Sequence, residues 1–349
     1  MAKEEVVRFR GDFVNRLKTR FFYGRLFARQ ITFPRIFNSI NAELDAKSRN
    51  SRPGSKPYIL KIETTNFCTN RCFFCLDGRR PPVDGERAWG TMDLTTFEEV
   101  LGLFADTALI ALLYGYGEPL LDPTIGEKIE TCSRAGVTSM ISTDLLPADR
   151  KVIADVVDAG IDAIRISLHG DSRGTYEKYA RTDKYEEVLD NLRFLLAYRS
   201  RREKHLLIEW LFCFHNYNVH EIESARQKAR DMGVDHFRVT PLWVPPEAAS
   251  EWMPPQVLEE FVKDAADLTC SIHYREIMVN WDGTLRPCCR NERTLKLDLG
   301  DFRDFEELWK GPIYKYIRNV SSGRCKPDAA MEVPCNVCEI VSGRKVPNW

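Results

Sequence analysis

The most informative segment of this 349-residue chain is Thr65-Asn66-Phe67-Cys68-Thr69-Asn70-Arg71-Cys72-Phe73-Phe74-Cys75, which follows a β-rich run at 57–65. Its spacing, C-x3-C-x2-C, places three thiolates in one short loop. Thiolates suit iron–sulfur clusters, and three of them leave one iron of a cubane cluster open to another ligand. A structural zinc site would need a fourth ligand, whereas the adjacent Asp77 is a hard ligand and no histidine is near in sequence. The segment therefore predicts an iron–sulfur site held by Cys68, Cys72 and Cys75.

The rest of the composition restricts where such a protein works. The chain has 11 cysteines and no secretory signal, and in a reducing compartment clustered cysteines indicate metal ligands or catalytic thiols. No apolar run approaches the roughly 18–20 residues needed to span a bilayer, so we expect a cytoplasmic protein. The formal net charge of −1 argues against a nucleic-acid partner, because nucleic-acid-binding proteins carry a basic excess.

From residue 57 onward, β-rich runs alternate with helical patterns. The predicted strands are 57–65, 109–114, 137–142, 161–168, 206–214 and 236–241, and the predicted helices are 95–105, 147–159, 185–198 and 219–232. This alternation predicts an α/β fold with a parallel sheet and a site at the C-terminal ends of the strands. Six strands are too few for a closed eight-stranded barrel, so we expect a partial (β/α)6 TIM-like barrel at 57–245. The cysteine-dense remainder, 246–349, predicts a small C-terminal domain held by a metal centre.

The first 56 residues differ from the rest in charge. They hold 13 Lys and Arg against 5 acidic residues. An apolar helical face is predicted from the spacing of Phe9, Phe13, Leu17, Phe21 and Phe27. One interpretation is a helical extension packed on the outside of the barrel. The other is an interfacial helix at 1–56 that contacts a membrane surface or a partner.

The cysteine loop, with the aromatic Phe74 just before its last cysteine, resembles the signature of the radical SAM superfamily. The resemblance implies that Cys68, Cys72 and Cys75 hold a [4Fe–4S] cluster whose open iron binds S-adenosyl-L-methionine. It further implies reductive cleavage of this cofactor to a 5′-deoxyadenosyl radical, which abstracts a hydrogen atom from the substrate. An external one-electron reductant such as flavodoxin or ferredoxin is implied as a partner. The family's partial barrel agrees with the strand count.

Further motifs at the strand ends strengthen this resemblance. The segment Tyr116-Gly117-Glu118-Pro119 resembles the family's GGEP, whose glutamate hydrogen-bonds the methionine amino group, although Tyr116 departs from the usual glycine. Asp144 follows the third strand as a weaker match, and the segment 165–169 resembles the one that contacts the ribose. The cofactor-binding residues implied in this way are Phe74, Gly117, Glu118 and Ser167.

A second set of cysteines lies near the C-terminus: Cys270, Cys288, Cys335 and Cys338. Four thiolates could hold zinc or a [4Fe–4S] cluster, and spacing alone does not separate the two. The order, with Gly283 opening a G-x4-C motif, resembles the SPASM/twitch extensions of radical SAM enzymes. The resemblance implies one auxiliary [4Fe–4S] cluster, as in the twitch type. Cys289, next to Cys288, and Cys325 are alternative ligands.

A four-cysteine auxiliary cluster has no place for substrate, so electron transfer is its natural use. Loss of a hydrogen atom and then an electron is a two-electron oxidation. The resemblance to twitch-type dehydrogenases of aminocyclitol biosynthesis implies dehydrogenation of a sugar- or cyclitol-like small molecule. A proton must also leave, and His169, Arg165 and His215 at predicted strand ends are the candidates to accept it.

Three other functions stay open. The first is a radical epimerase of a sugar carbon, in which a cysteine thiol such as Cys213, on the fifth predicted strand, returns a hydrogen atom. The second is a maturase of ribosomally made peptides, for which the 56-residue basic segment looks short as a leader-binding domain. The third is a non-enzymatic binding protein stabilised by zinc or a cluster, against which the open three-cysteine loop argues.

Overall fold

In the computed structural model of the protein, the residues described are 13–75, 88–146, 149–202, 205–244, 248–254, 270–288, 299–328, 330–331, 333–336 and 338. The strands of this part are β1 (Ile59–Ile62), β2 (Ile110–Leu112), β3 (Thr138–Thr143), β4 (Ala163–Ser167), β5 (Leu207–Phe214), β6 (His236–Pro241), β7 (Glu276–Val279) and β8 (Leu285–Arg286). They form one sheet in the order β6-β5-β4-β3-β2-β1-β7-β8. Neighbours from β1 to β6 are parallel. The predicted α/β class and the six barrel strands are confirmed.

Helices connect the strands. They are α1 (Phe13–Phe27), α2 (Phe33–Ser48), α3 (Leu94–Phe104), α4 (Ile125–Arg134), α5 (Arg150–Asp158), α6 (Arg173–Ala180), α7 (Tyr185–Arg201), α8 (Ile222–Met232), α9 (Ala249–Trp252), α10 (Ile272–Arg275), α11 (Phe305–Lys310) and α12 (Pro312–Ser321). Two of these helices have an aspartate N-cap, whose side-chain carboxylate accepts a hydrogen bond from a free backbone N–H of the first turn. Asp93 accepts from Thr96 N at 2.8 Å, and Asp149 accepts from Lys151 N at 2.8 Å. None of the described helices has the length and apolarity that crossing a bilayer requires.

The two faces of the sheet bury different partners, because side chains alternate along a strand. One face, exemplified by Leu113, Ile141 and Ile164, packs into the large core formed with the connecting helices. On the other face, Ile110, Met140, Ala163 and Leu207 stand near the starts of their strands and form a separate core with Phe22 and Leu26 of α1. In a curved sheet of this kind that second face is the barrel interior, so α1 forms the floor of the barrel.

The position of α1 corrects the prediction for the N-terminal segment. Phe21, which the sequence placed on the buried face, is 70% exposed, whereas its neighbour Phe22 is 4% exposed. The reason is that α1 faces a partly polar interior. Tyr23, next to Phe22, donates to Glu209 of β5, so the helix is turned toward a carboxylate as well as toward apolar side chains. Phe9 lies outside the described residues, and for Phe13 and Leu17 only the backbone is described.

Helix α2 is fixed to the barrel by polar side chains. Arg35 is 5% exposed, and its guanidinium donates to the carbonyls of Gln30, Ala105, Ala135 and Gly136. Ala105 and Ala135 are the C-capping residues that directly follow α3 and α4. A buried cation at the C-terminal ends of two helices satisfies unpaired carbonyls and complements both helix dipoles.

The residues after 270 continue the barrel sheet. β7 pairs in parallel with β1, and β8 pairs antiparallel with β7. Trp309 of α11 donates to Ser55 O at 2.9 Å, which ties this region to the segment leading into β1. Arg318 of α12 is fully buried and donates to Trp309 O at 2.7 Å. Where the C-terminal domain begins in sequence stays a prediction.

Candidate active site

The three-cysteine loop leaves the C-terminal end of β1 and is held by neighbouring backbone. Glu118 N donates to Phe67 O at 2.8 Å, and Phe73 N donates to Tyr179 O at 2.9 Å. Burial and then the nearby Asp144 carboxylate raise the pKa of Cys68. Burial and then Cys75 raise the pKa of Cys72. Thiols that burial keeps protonated need a strong positive charge to ionise, and cluster iron supplies that charge, so the donor set fits an iron–sulfur cluster.

A buried carboxylate, Glu118, and a partly buried one, Asp144, lie beside this loop. Glu118 is 4% exposed, and its two oxygens accept from Leu120 N at 3.0 Å and Asp144 N at 3.2 Å. Burial, together with the Asp144 charge, raises the pKa of Glu118 well above its usual value. Burial also raises the pKa of Asp144, which accepts from the Asn70 amide within the cysteine loop. Paired carboxylates of this kind favour a bound cation, and the ammonium group of S-adenosylmethionine provides one.

Gly117 brings the carboxylate loop into contact with the cysteine loop. A Cβ built on Gly117 would lie 2.2 Å from Thr65 O and 2.7 Å from Asn66 Cα. Only glycine therefore fits where these two backbones meet. Tyr116 stands where the GGEP motif has its first glycine, and its backbone N donates to the buried Glu63 carboxylate at 3.3 Å.

Ser167 and Arg165 lie on the interior face of β4. Ser167 Oγ is 3.1 Å from Ser142 Oγ on the neighbouring strand, so two hydroxyls stand together near the strand ends. Arg165 is in the middle of β4 and not at its end, which corrects the sequence prediction. Its guanidinium pairs with Glu209 at 2.6 Å and donates to the hydroxyl of Tyr114 at 2.9 Å. Its pKa is raised well above the usual value, because neighbouring acidic groups outweigh the effect of burial, so it is unsuited to accept a proton.

His169 and Cys213 meet at the C-terminal ends of β4 and β5. Cys213 N lies 3.1 Å from His169 Nδ1, and Thr240 Oγ1 lies 3.5 Å from Cys213 Sγ. Burial raises the pKa of Cys213, but the charge and hydrogen bond of His169 outweigh it and the pKa is lowered. Burial lowers the pKa of His169, yet Cys213 reverses the sign and the pKa is raised. Thr240 was not identified from sequence; its place one residue before the end of β6 was the available signal.

Two other predicted residues are enclosed by aromatic side chains. Phe74 is 7% exposed and its ring centroid lies 5.1 Å from that of Trp252. His215 is fully buried, its ring centroid lies 5.2 Å from that of Trp252, and burial lowers its pKa to about 3. His215 is therefore a neutral side chain in the wall of the site and a poor proton acceptor at neutral pH.

Three of the four cysteines of the second set, Cys270, Cys335 and Cys338, lie near one another. Burial, then Cys270 and Cys338, raise the pKa of Cys335, so these three thiols interact. His273, which the sequence analysis missed, is 1% exposed with Nε2 3.5 Å from Cys335 Sγ and Nδ1 3.1 Å from Pro287 O. Its position between two cysteine motifs was the available signal. Cys288 is partly buried and Cys325 is exposed, while Cys289 lies outside the described residues.

The described residues hold no group of three His, Cys, Asp or Glu side chains close enough together to enclose a metal ion. Both proposed ligand sets, Cys68, Cys72 and Cys75 near β1 and Cys270, Cys288, Cys335 and Cys338 near the C-terminus, therefore remain predictions. Ser167 and the His169–Cys213 pair nevertheless lie at the same end of the sheet as the cysteine loop and the carboxylate pair, namely the C-terminal ends of its parallel strands.

A partial barrel with a thiol-rich loop at this edge defines a class of iron–sulfur enzymes that work on a cofactor bound in the barrel. The family profile described as "Radical SAM superfamily" matches residues 62–240, about half of the chain, and the chain belongs to this superfamily. The SPASM profile, described as "Iron-sulfur cluster-binding domain", matches residues 270–339. A [4Fe–4S] cluster, S-adenosylmethionine and a further iron–sulfur cluster are thus its cofactors.

Named relatives share only part of their length with this chain. A GTP 3′,8-cyclase of Chlorobaculum tepidum is 29% identical over 140 residues, which are 40% of this chain and 41% of the relative. A PqqA peptide cyclase of Bradyrhizobium diazoefficiens is 22% identical over 183 residues, 52% of this chain and 46% of the relative. The chain thus spans less than half the length of these relatives. The S-adenosylmethionine-bound structure of Streptococcus suis SuiB has a TM-score of 0.59 at 14% identity, covers 89% of this chain and 76% of its own, and agrees in fold.

Proposed function

We propose that this radical SAM enzyme oxidises its substrate by two electrons, and that a sugar- or cyclitol-like small molecule is the substrate. The observation that carries the proposal is the His169–Cys213 pair at the ends of β4 and β5. With its cofactors bound, the cluster and S-adenosylmethionine supply the 5′-deoxyadenosyl radical that takes a hydrogen atom from the substrate. Completing the oxidation then requires an acceptor for one electron and an acceptor for one proton.

For the cofactor, Cys68, Cys72 and Cys75 would bind the cluster, while Glu118 and Asp144 would hold the ammonium group of S-adenosylmethionine. Ser167 would contact the ribose, and Phe74 would close the site against Trp252. The auxiliary cluster, bound by Cys270, Cys288, Cys335 and Cys338, would accept the second electron. An external one-electron reductant would supply the first.

The chemistry of the pair supports proton uptake over hydrogen-atom donation. Donation of a hydrogen atom needs an S–H bond, and His169 lowers the pKa of Cys213, which makes that bond easier to ionise. Cys213 in turn raises the pKa of His169, so the two side chains share one proton and the pair can take up a second, ending as a thiol and an imidazolium. A substrate O–H that loses its proton to the His169–Cys213 pair, after its carbon has lost a hydrogen atom and an electron, becomes a ketone, and the atoms and charges balance.

The test separates oxidation from epimerisation by mass and isotope. The reconstituted enzyme, reduced with dithionite, would be incubated in D2O with S-adenosylmethionine and pools of sugars, cyclitols or short peptides. A product 2 Da lighter, formed with one 5′-deoxyadenosine per turnover, is expected. A product of unchanged skeleton that carries one solvent deuterium would instead establish epimerisation.

Two variants assign the roles within the pair. Cys213→Ser should retain a large part of the oxidation, since the hydroxyl keeps the contact with Thr240 and His169 remains. His169→Gln should slow product formation by about 10²–10⁴-fold while 5′-deoxyadenosine still forms. The reverse result, in which Cys213→Ser abolishes product and His169→Gln does not, would favour the epimerase.

A peptide substrate is the second candidate, because the 22%-identical relative from Bradyrhizobium diazoefficiens is named a PqqA peptide cyclase. Oxidative ring closure and dehydrogenation both remove two electrons, so the reaction class stays the same. The peptide pool in the experiment above decides between the substrates: a peptide product 2 Da lighter, with no change in the sugar pools, would move the proposal to a peptide.

A further inference from the structure

Helix α2 exposes an unusually apolar surface, which we call the apolar face of α2. It consists of Phe33 (80% exposed), Ile36 (38%), Phe37 (58%), Ile40 (52%) and Leu44 (56%). At about 100° per residue these positions fall within roughly 100° of arc, so they form one continuous stripe. The rings of Phe33 and Phe37 stack with centroids 6.1 Å apart.

The fold holds this stripe outward. The opposite side of α2 buries Arg35, Asn38 and Ala42. Asn38 exchanges two hydrogen bonds with the backbone of Lys56, one from Nδ2 to Lys56 O and one from Lys56 N to Oδ1, both at 2.9 Å. Because these contacts and those of Arg35 fix the rotation of the helix about its axis, the apolar face cannot turn inward without breaking them.

The exposed charged side chains of α1, α2 and the residues that follow α2 are basic in the part of this segment whose side chains are described. Lys47, three residues after Leu44, is exposed on the same side, and further exposed basic residues on α1 and after α2 are Lys18, Arg20, Arg25, Arg49 and Arg52. The two acidic residues of α2 are held by the protein: Glu43 pairs with Arg275 at 2.5 Å, and Asp45 accepts from Ser55 at 2.8 Å. Phe21 on α1 and Ile31 before α2 add exposed apolar area, at 70% and 50%.

We propose that the apolar face of α2 lies on an anionic lipid surface, with the helix parallel to that surface and the basic residues against the headgroups. An amphipathic helix of this composition binds by inserting its large apolar side chains at the headgroup boundary, and the basic flank adds attraction to anionic lipid. The exposed basic side chains of α1, α2 and the residues after α2 favour an anionic membrane over an uncharged apolar partner.

The place of α2 in the fold sets the orientation of the bound enzyme. Arg35 reaches the carbonyls of Ala105 and Ala135, which precede β2 and β3, so α2 lies at the end of the barrel where the strands start. The cysteine loop lies at the opposite end. The bound enzyme would therefore present its active site to the aqueous side, and its substrate would arrive from water.

The experiment is cosedimentation of the cluster-loaded enzyme with vesicles of phosphatidylcholine, with and without 30 mol% phosphatidylglycerol added (about 1 mM total lipid). Wild type should bind the anionic vesicles, and binding should fall as salt is raised. Phe33→Ser/Phe37→Ser should lower the partition coefficient at least about tenfold, since two rings no longer insert. Leu103→Ser/Ile313→Ser removes apolar side chains of 39% and 38% exposure elsewhere and should bind as wild type does.

Lys47→Glu tests the charge separately and should weaken binding to anionic vesicles without affecting stability. Three results would overturn the proposal. Wild type could fail to sediment with anionic vesicles, or both double variants could lose binding equally. Alternatively, sedimentation velocity without lipid could find a dimer that Phe33→Ser/Phe37→Ser dissociates, and then a second copy of the chain covers the face.

Discussion

Gly117 joins the carboxylate loop to the cysteine loop with no space between their backbones. Gly117→Ala should therefore displace Glu118 and lower dithionite-driven 5′-deoxyadenosine formation by about tenfold or more, because a small misplacement near the reacting groups is costly. Gly102→Ala is the matched control, since no atom lies within 4 Å of a Cβ built at that helical position. Equal activity of the two variants would contradict the close approach inferred at Gly117.

His215 should make stability depend on pH. Its pKa is about 3 in the folded protein because of burial, against about 6.5 when unfolded, so the unfolded state binds a proton first as pH falls. The stability contribution of the neutral form is complete above pH 6.5 and is lost between pH 6.5 and 3, amounting to about 2 kcal/mol at pH 5. The difference in unfolding free energy between wild type and His215→Asn, measured in urea, should shrink by that amount from pH 7 to pH 5. Parallel pH profiles would show that His215 does not titrate in this way, and exposed His220→Asn provides the surface control.

At the scale of single elements, α1 should contribute strongly to stability through one side only. Phe22→Ala removes a buried ring from the barrel floor and should cost about 3–5 kcal/mol of unfolding free energy. Phe21→Ala, the neighbouring residue, should cost less than about 0.5 kcal/mol because its side chain is 70% exposed. Urea denaturation of both variants checks the assignment, and similar losses would mean that α1 packs differently.

Helix α2 is held in place by Arg35, whose guanidinium donates to carbonyls at the C-terminal ends of α3 and α4. Arg35→Met leaves carbonyls of Gln30, Ala105, Ala135 and Gly136 without their donor and should cost about 3 kcal/mol. Arg35→Lys should recover little, because an ammonium group lacks the planar fork that reaches several carbonyls. Arg193→Met, which breaks only an exposed pair with Asp190, should change stability by less than about 1 kcal/mol.

The sequence predicted the positions of the strands better than it predicted the buried side of α1. Strands β1 to β6 were located by buried apolar runs, since a parallel sheet covered on both faces leaves that signal. The apolar pattern of α1 predicted the wrong buried side, because part of its inward side is polar: Tyr23 contacts Glu209 and Thr19 contacts His236, partners 186 and 217 residues away. His273 was missed for a similar reason, since no local pattern shows that Pro287 O and Cys335 converge on its ring. Local periodicity reports burial, whereas the identity of a distant partner is set by the tertiary fold.

For the whole molecule, iron content tests both ligand sets together. Wild type reconstituted anaerobically should hold about eight irons, and Cys68→Ala/Cys72→Ala/Cys75→Ala about four. Added S-adenosylmethionine should perturb only the EPR signal that this variant lacks. Cys335→Ala/Cys338→Ala should also lose about four irons but keep the perturbed signal. If wild type holds about four irons and one zinc, the C-terminal site is structural and electron removal through it is excluded.

The barrel floor also constrains the order in which the chain can fold during synthesis. Tyr23 is made early, but its partners Glu209 and Arg238 follow 186 and 215 residues later. At about 5–20 residues per second, the ribosome needs on the order of 10–40 s to supply them. During that interval the strands that cover Phe22 and Leu26 are made one after another, with Ile110 of β2 first and Leu207 of β5 last among the buried residues of this core. Helix α1 is therefore made before every strand that it contacts: it gains its apolar cover strand by strand, and its polar contacts are complete only when β6 has been made.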